Sequence, residues 1–140
     1  MEMRGDVALC GGAFGFELDV TSLSPEEKEQ ARGVIARAKE LRGLVQQGIF
    51  RRLLSPFGAR YAAWQFVRED GKQALICIYR ILSEANMPPV RVKMHGLDPA
   101  ATYRDETGKL YSGASLMYLG FSASIPGDFG SCVMLLEKVE

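Results

Sequence analysis

Much that would point to a reaction is missing from this chain. Histidine occurs once, at His95, and tryptophan once, at Trp64. Cysteine numbers three, Cys10, Cys77 and Cys132, at spacings that bear no relation to one another. Zinc-type sites need two or more Cys or His at close, fixed intervals, so no metal is expected. The odd cysteine count supplies no disulfide framework. The three are read as reduced and mostly buried thiols, which places the chain in a cytoplasmic setting. Net charge is absent too, because 17 Lys and Arg balance 17 Asp and Glu. Nucleic acid and anionic membrane surfaces take their binding energy from basic excess, so neither is expected as a partner. No apolar run approaches the roughly 20 residues of a spanning helix. No basic region followed by an apolar core opens the chain, so no signal peptide is expected. Repeats and low-complexity segments are also lacking.

What is present is a chain of 140 residues, 47% of them hydrophobic, enough for one domain with its own core. The clearest element is a helix from Ser24 to Gln47. Ser24 is a good N-cap, Pro25 takes the first helical position, and Glu27 completes a capping box. Val34, Ile35, Ala38, Leu41 and Val45 form an apolar stripe at helical spacing. Such a helix would run about 36 Å, long beside so small a domain. Part of the stripe is therefore expected on the surface, as a self-association face.

From Ile49 onward the period becomes two. Ile49 to Leu54 and Ala62 to Glu69 read as strands, and Asp70-Gly71 as a hairpin turn. Gln73 to Leu82 is nearly all apolar, as in a central strand buried on both faces. In Val90 to Met94 the apolar residues Val90, Val92 and Met94 alternate with Arg91 and Lys93. Thr102 to Glu106 and Lys109 to Ser112 follow, then a helical turn through Leu116 and Met117 closed by Gly120. The stretch from Val90 to Phe121 reads as one rim of an antiparallel sheet. Ser131 to Val139 is the closing strand. The expected fold is mainly β, an antiparallel sandwich of about seven or eight strands behind an N-terminal helical arm. Met3 to Gly12 fits either a short strand or the last turns of a helix capped by Gly11 and Gly12, and Ala13 to Val20 looks extended.

Several pieces in order resemble the C-terminal end of α-galactosidases of glycoside hydrolase family 36. They are RGDVALCGGAFGFELDVTSLSPEEKEQ, RGLVQQGIFRRLLSPF, AAWQFV, GLDPAATYRDETGKLYSGASLMYLGF and GDFGS. The resemblance implies a large retaining glycosidase with a (β/α)8 barrel and a C-terminal antiparallel β-domain, often tetrameric. It implies that residues 1–48 are the end of the barrel and its linking helix, and residues 49–140 the β-domain. Met3 to Gly12 then resembles a late barrel helix, and Ala13 to Val20 the last barrel strand. The family's two catalytic aspartates would lie upstream of this chain, on barrel segments it does not contain. The partners implied are the rest of the barrel and further copies of the chain.

Candidate sites are weak against that background. A retaining glycosidase needs two carboxyl groups about 5 to 5.5 Å apart. Glu17 and Asp19 share a face of an extended segment, but such alternation is ordinary in strands. Asp6, Asp98 and Asp128 adjoin Gly or Pro and read as turn residues. Gly113-Ala114-Ser115-Leu116-Met117 lacks the second glycine of a nucleophile elbow. Trp64, Tyr61 and Tyr111 are candidates for a sugar-stacking platform, against the more ordinary reading that they are core. No catalytic, metal or cofactor residue is assigned. Two roles remain open: a structural piece of an α-galactosidase without hydrolysis of its own, or a carbohydrate-binding or self-association module.

Overall fold

A computed structural model describes residues 2–15, 17, 19–58 and 60–139, with the backbone alone at Glu2. Two helices come first, α1 (Glu2–Leu9) and α2 (Pro25–Gln47). The capping box at Ser24 forms as expected. The Ser24 hydroxyl accepts from the Glu27 amide at 3.2 Å, and the Glu27 carboxylate accepts from the Ser24 amide at 2.9 Å. Gly48 ends the helix, its amide bonded to the Leu44 carbonyl at 2.8 Å.

Eight strands follow: β1 (Ile49–Leu54), β2 (Tyr61–Val67), β3 (Gln73–Arg80), β4 (Val90–Val92), β5 (Thr102–Asp105), β6 (Leu110–Ser112), β7 (Phe121–Ala123) and β8 (Gly130–Val139). All pairings are antiparallel, and six strands form one sheet in the order β1-β2-β3-β8-β5-β6. The two remaining strands, β4 and β7, pair only with each other as a small second sheet. The Val90–Phe121 stretch is therefore not one rim of one sheet. Its first strand leaves the main sheet, while β5 and β6 supply the rim. The missing partner is β7, which local periodicity did not mark because it is three residues long. A single π-helical turn, Ser115–Leu119, precedes it and closes at Gly120.

The main sheet is covered on both faces, and period two explains how. On β2 and β3, Ala63, Val67, Ile76 and Ile78 face the small sheet and pack with Val92, Met94, Leu116 and Ala123. Their neighbours Ala62, Phe66, Leu75, Cys77 and Tyr79 face the helices and pack with Leu9, Leu41, Leu44 and Val45. This second cluster crosses the boundary expected at residue 48. It also takes up part of the expected stripe. Leu41 and Val45 are buried against the chain's own sheet, and Val34, Ile35 and Ala38 are only partly accessible. Val34 lies under α1, where its methyls leave no room for a Cβ at Gly5. The extended segment expected over residues 13–20 lies partly outside the described residues, and those described there form no strand.

Two contacts join the layers. Arg37 of α2 grips Glu106, just past β5, through both guanidinium nitrogens, one of them at 2.6 Å. Glu106 also accepts the Leu135 amide of β8 at 3.2 Å. The Arg37 guanidinium is the main reason its carboxyl titrates below the ordinary range. On the opposite face Gln65 is fully buried, and its side-chain amide bonds the backbone of His95 at both ends.

Candidate functional site

The polar groups that sit deepest lie where α1 meets the main sheet. The last turn of α1 turns Leu9 and Cys10 inward onto β3. Cys10 and Cys77 meet with sulfurs 2.7 Å apart, across 67 residues of sequence. Beside them the Tyr79 hydroxyl donates to the Asp6 carbonyl at 2.9 Å, and the Ser131 hydroxyl donates to the Asp6 carboxylate at 2.6 Å. Asp6 is thus a helical residue that anchors α1, not the turn residue its neighbour Gly5 suggested. The Trp64 ring lies 4.6 Å from the Tyr79 ring, and its Nε1 is buried with no hydrogen-bond acceptor among the described residues.

Burial sets the protonation of this cluster. It pushes the Cys77 thiol well above the ordinary value, so Cys77 stays protonated. The bond with Cys77 is the largest influence on Cys10 and pulls its thiol below the ordinary value, against the opposing cost of burial. Burial, then the nearby cysteines, raise Tyr79 far out of the physiological range. Cys10 also forms one wall of an open groove of about 420 Å³, shared with Gly11, Gly12, Phe50, Arg52, Pro56, Trp64 and Phe66.

Other depressions carry no glycosidase geometry. A groove of about 450 Å³ runs between the segment after α1 and α2, lined by Phe14, Ile35, Ala38, Lys39 and Arg42 among others. Another, of about 460 Å³, includes Glu40, Glu69 and Glu137. All three carboxylates are exposed, and Glu137 accepts from Gln73 Nε2 at 3.0 Å. Solvated carboxylates lack the desolvation that makes a general acid at neutral pH.

The candidates singled out in the sequence do not come together. Glu17 and Asp19 are exposed. Asp19 Oδ1 accepts from both the amide and the hydroxyl of Thr21, at 2.9 and 2.5 Å, which lowers its pKa and makes it a turn cap. Asp98 accepts from the Ala100 amide, as expected of a turn residue, and from Lys138, whereas Asp128 accepts from the amide and hydroxyl of Ser83, 45 residues away in sequence. Trp64 and Tyr61 point to opposite faces of β2, and Tyr111 packs edge-on to Phe121 with its hydroxyl on Asp105. They form no shared platform. His95 is exposed and lies three residues past the end of β4. Among the described residues, no group of three or more His, Cys, Asp or Glu is placed to hold a metal ion. Among the same residues, no helix is long and apolar enough to cross a membrane.

Sequence reasoning missed the thiol pair and the Gln65 clip. Neither has a local signal: the first depends on α1 docking on β3, the second on β4 crossing above β2. The one hint was polarity in an apolar strand, Gln65 between Trp64 and Phe66.

Fold and site together define an antiparallel β-sandwich backed by two helices, with no enclosed carboxylate pair among the described residues. Residues 61–136 match the family model described as the glycosyl hydrolase family 36 C-terminal domain, and residues 1–48 match the one described as melibiase. The chain belongs to glycoside hydrolase family 36. Among curated relatives, the α-galactosidase AgaA of Geobacillus stearothermophilus is 41% identical over 141 residues, covering 100% of this chain and 19% of its own length. The bifunctional α-galactosidase/sucrose kinase AgaSK of Mediterraneibacter gnavus is 42% identical over 118 residues, covering 84% of this chain and 12% of its own. Among solved structures, a variant of the same Geobacillus AgaA in complex with stachyose superposes with a TM-score of 0.93 at 41% identity, over 99% of this chain and 19% of that one. The chain therefore spans between about an eighth and a fifth of the length of these relatives.

Proposed function

We propose that this chain serves as the C-terminal portion of an α-galactosidase, supplying scaffold to a retaining hydrolysis whose two reacting carboxyls lie elsewhere. The observation that carries this is the pairing of a near-complete match to this chain, at a TM-score of 0.93, with coverage of only 19% of the relative's chain. Residues 1–48 act as the end of the barrel region and its link, and residues 49–140 as the β-domain. The two parts share a hydrophobic cluster, so the β-domain holds the last helical elements of the barrel in place. Exposed apolar side chains such as Phe57, beyond β1, and Phe129, just before β8, offer contact area to the remainder of the enzyme.

The test is a chimaera. This chain replaces the corresponding C-terminal fifth of the Geobacillus AgaA enzyme, and turnover of a nitrophenyl α-galactoside is followed. Activity in the chimaera, and none in the isolated 140-residue chain, is the expected result. Turnover by the isolated chain would show that its own residues react. A chimaera that folds but stays inactive would show that this chain does not support the barrel.

A further inference from the structure

We infer that Cys10 and Cys77 are a redox clasp: a hydroperoxide entering the groove beside Trp64 converts the pair to a disulfide that locks α1 onto the main sheet. The sulfurs already lie 2.7 Å apart, and a disulfide needs a further approach of under 1 Å, to roughly 2.05 Å. Cys77 sits on β3 and Cys10 in the turn that directly follows α1, so a small side-chain adjustment suffices. Access is asymmetric. Cys10 is itself largely buried, at 5% exposure, but borders the open groove with Phe50, Arg52 and Trp64, whereas Cys77 has no accessible surface and is absent from the groove's lining. Cys10 is also the easier of the two to deprotonate, because burial raises Cys77 while the bond between the sulfurs lowers Cys10. The roles of attacking and resolving thiol are thereby divided. Cys132, on β8, belongs to the opposite face of the sheet and has no part in the pair.

The chemistry balances with the hydroperoxide as the only added reagent. The Cys10 thiolate attacks one peroxide oxygen, the O–O bond breaks, and a sulfenic acid and one water (or alcohol) result. Cys77 gives up its proton and attacks the sulfenic sulfur. The S–O bond breaks, the S–S bond forms, and a second water leaves. Two thiols lose two electrons, and the peroxide gains them. The clasp joins the segment that matches the melibiase model to the strand at the centre of the C-terminal domain. It closes a loop of 67 residues, which restricts the unfolded chain strongly.

The test uses the whole chain. It is treated with hydrogen peroxide under native conditions, denatured, alkylated with iodoacetamide and digested. The expected product is a Cys10–Cys77 linked peptide lighter by two hydrogens, with Cys132 still alkylated. Tm should rise by roughly 5 °C or more and return to its starting value with dithiothreitol. Cys77→Ser should stop at a Cys10 sulfenic acid, trapped by dimedone, with no rise in Tm. If Cys10 and Cys77 remain alkylatable after peroxide has oxidised an equal amount of free N-acetylcysteine, the clasp does not exist. Linkage through Cys132, or between two chains, would overturn it equally.

Discussion

Replacing Gln65 with methionine tests how the two sheets are held in register. Gln65 stands up from β2 toward the small sheet, in a row with Ala63 and Val67, and has no accessible surface. Its Nε2 donates to the His95 carbonyl at 2.6 Å, and its Oε1 accepts from the His95 amide at 3.0 Å. One side chain thus pairs with the backbone as a neighbouring strand would. Methionine keeps the length and nearly the volume but offers no donor, so packing changes little. Two backbone groups of His95 lose their partners. Each costs about 1–3 kcal/mol if it stays dry, and water can reach part of this edge because His95 itself is exposed. The working value is therefore about 2–4 kcal/mol in total, near the lower end of the sum. Urea unfolding followed by Trp64 fluorescence reads this as a fall in the midpoint at unchanged slope. Gln65→Glu sharpens the argument. Its carboxylate still accepts from the His95 amide, but its second oxygen faces the His95 carbonyl. The charged form is disfavoured, so the folded-state pKa is raised above the ordinary 4.3 or so. The penalty is then absent below about pH 4 and grows as pH rises through the raised folded value. A Gln65→Met loss under about 0.5 kcal/mol, or a Gln65→Glu penalty that does not change with pH, would refute the strand-like role.

Two further outcomes follow from the same structure. Gly113 sits where an added Cβ would lie 2.0 Å from the Asp98 carbonyl oxygen, so Gly113→Ala should destabilise by at least about 2 kcal/mol. A thermal melt within roughly 2 °C of the wild type would show that this turn yields freely. Asp105 accepts from the Thr107 hydroxyl, the Thr107 and Lys109 amides and the Tyr111 hydroxyl, and Thr107 leads in holding its pKa down at about 2. Its folded value lies below the unfolded one, so its contribution is present above about pH 4 and lost as pH falls toward 2. The stability gap between wild type and Asp105→Asn should close over that window, and urea midpoints at pH 5, 3 and 2 that keep a constant gap would contradict it.

Residues that act through their near neighbours were legible in the sequence. Ser24, Pro25 and Glu27 announced the start of α2, because capping is settled within one turn of chain. Gln73 to Leu82 announced a strand buried on both faces, because its apolar run leaves no side for water, and the strand formed runs to Arg80. The strand limits of β1 were also readable, from the period and the Ser55-Pro56 stop. The stripe on α2 was readable as apolar but not as occupied. Which surface covers Leu41 and Val45 depends on α1 and β3, which are distant in sequence. The same holds for the sugar-stacking candidates. Their residue types were suitable, but alternation on β2 sends Trp64 and Tyr61 to opposite faces.

By itself, then, the amino-acid order determined the caps, the turns, most of the strands and, by resemblance, the family. Only the folded chain decided that β4 pairs with β7 above the main sheet, that Gln65 bridges to His95, and that Cys10 meets Cys77. The physical reason is distance along the chain. Caps and periodicity are fixed by neighbours within a few residues, whereas these contacts form only after layers far apart in sequence have packed and excluded water between them.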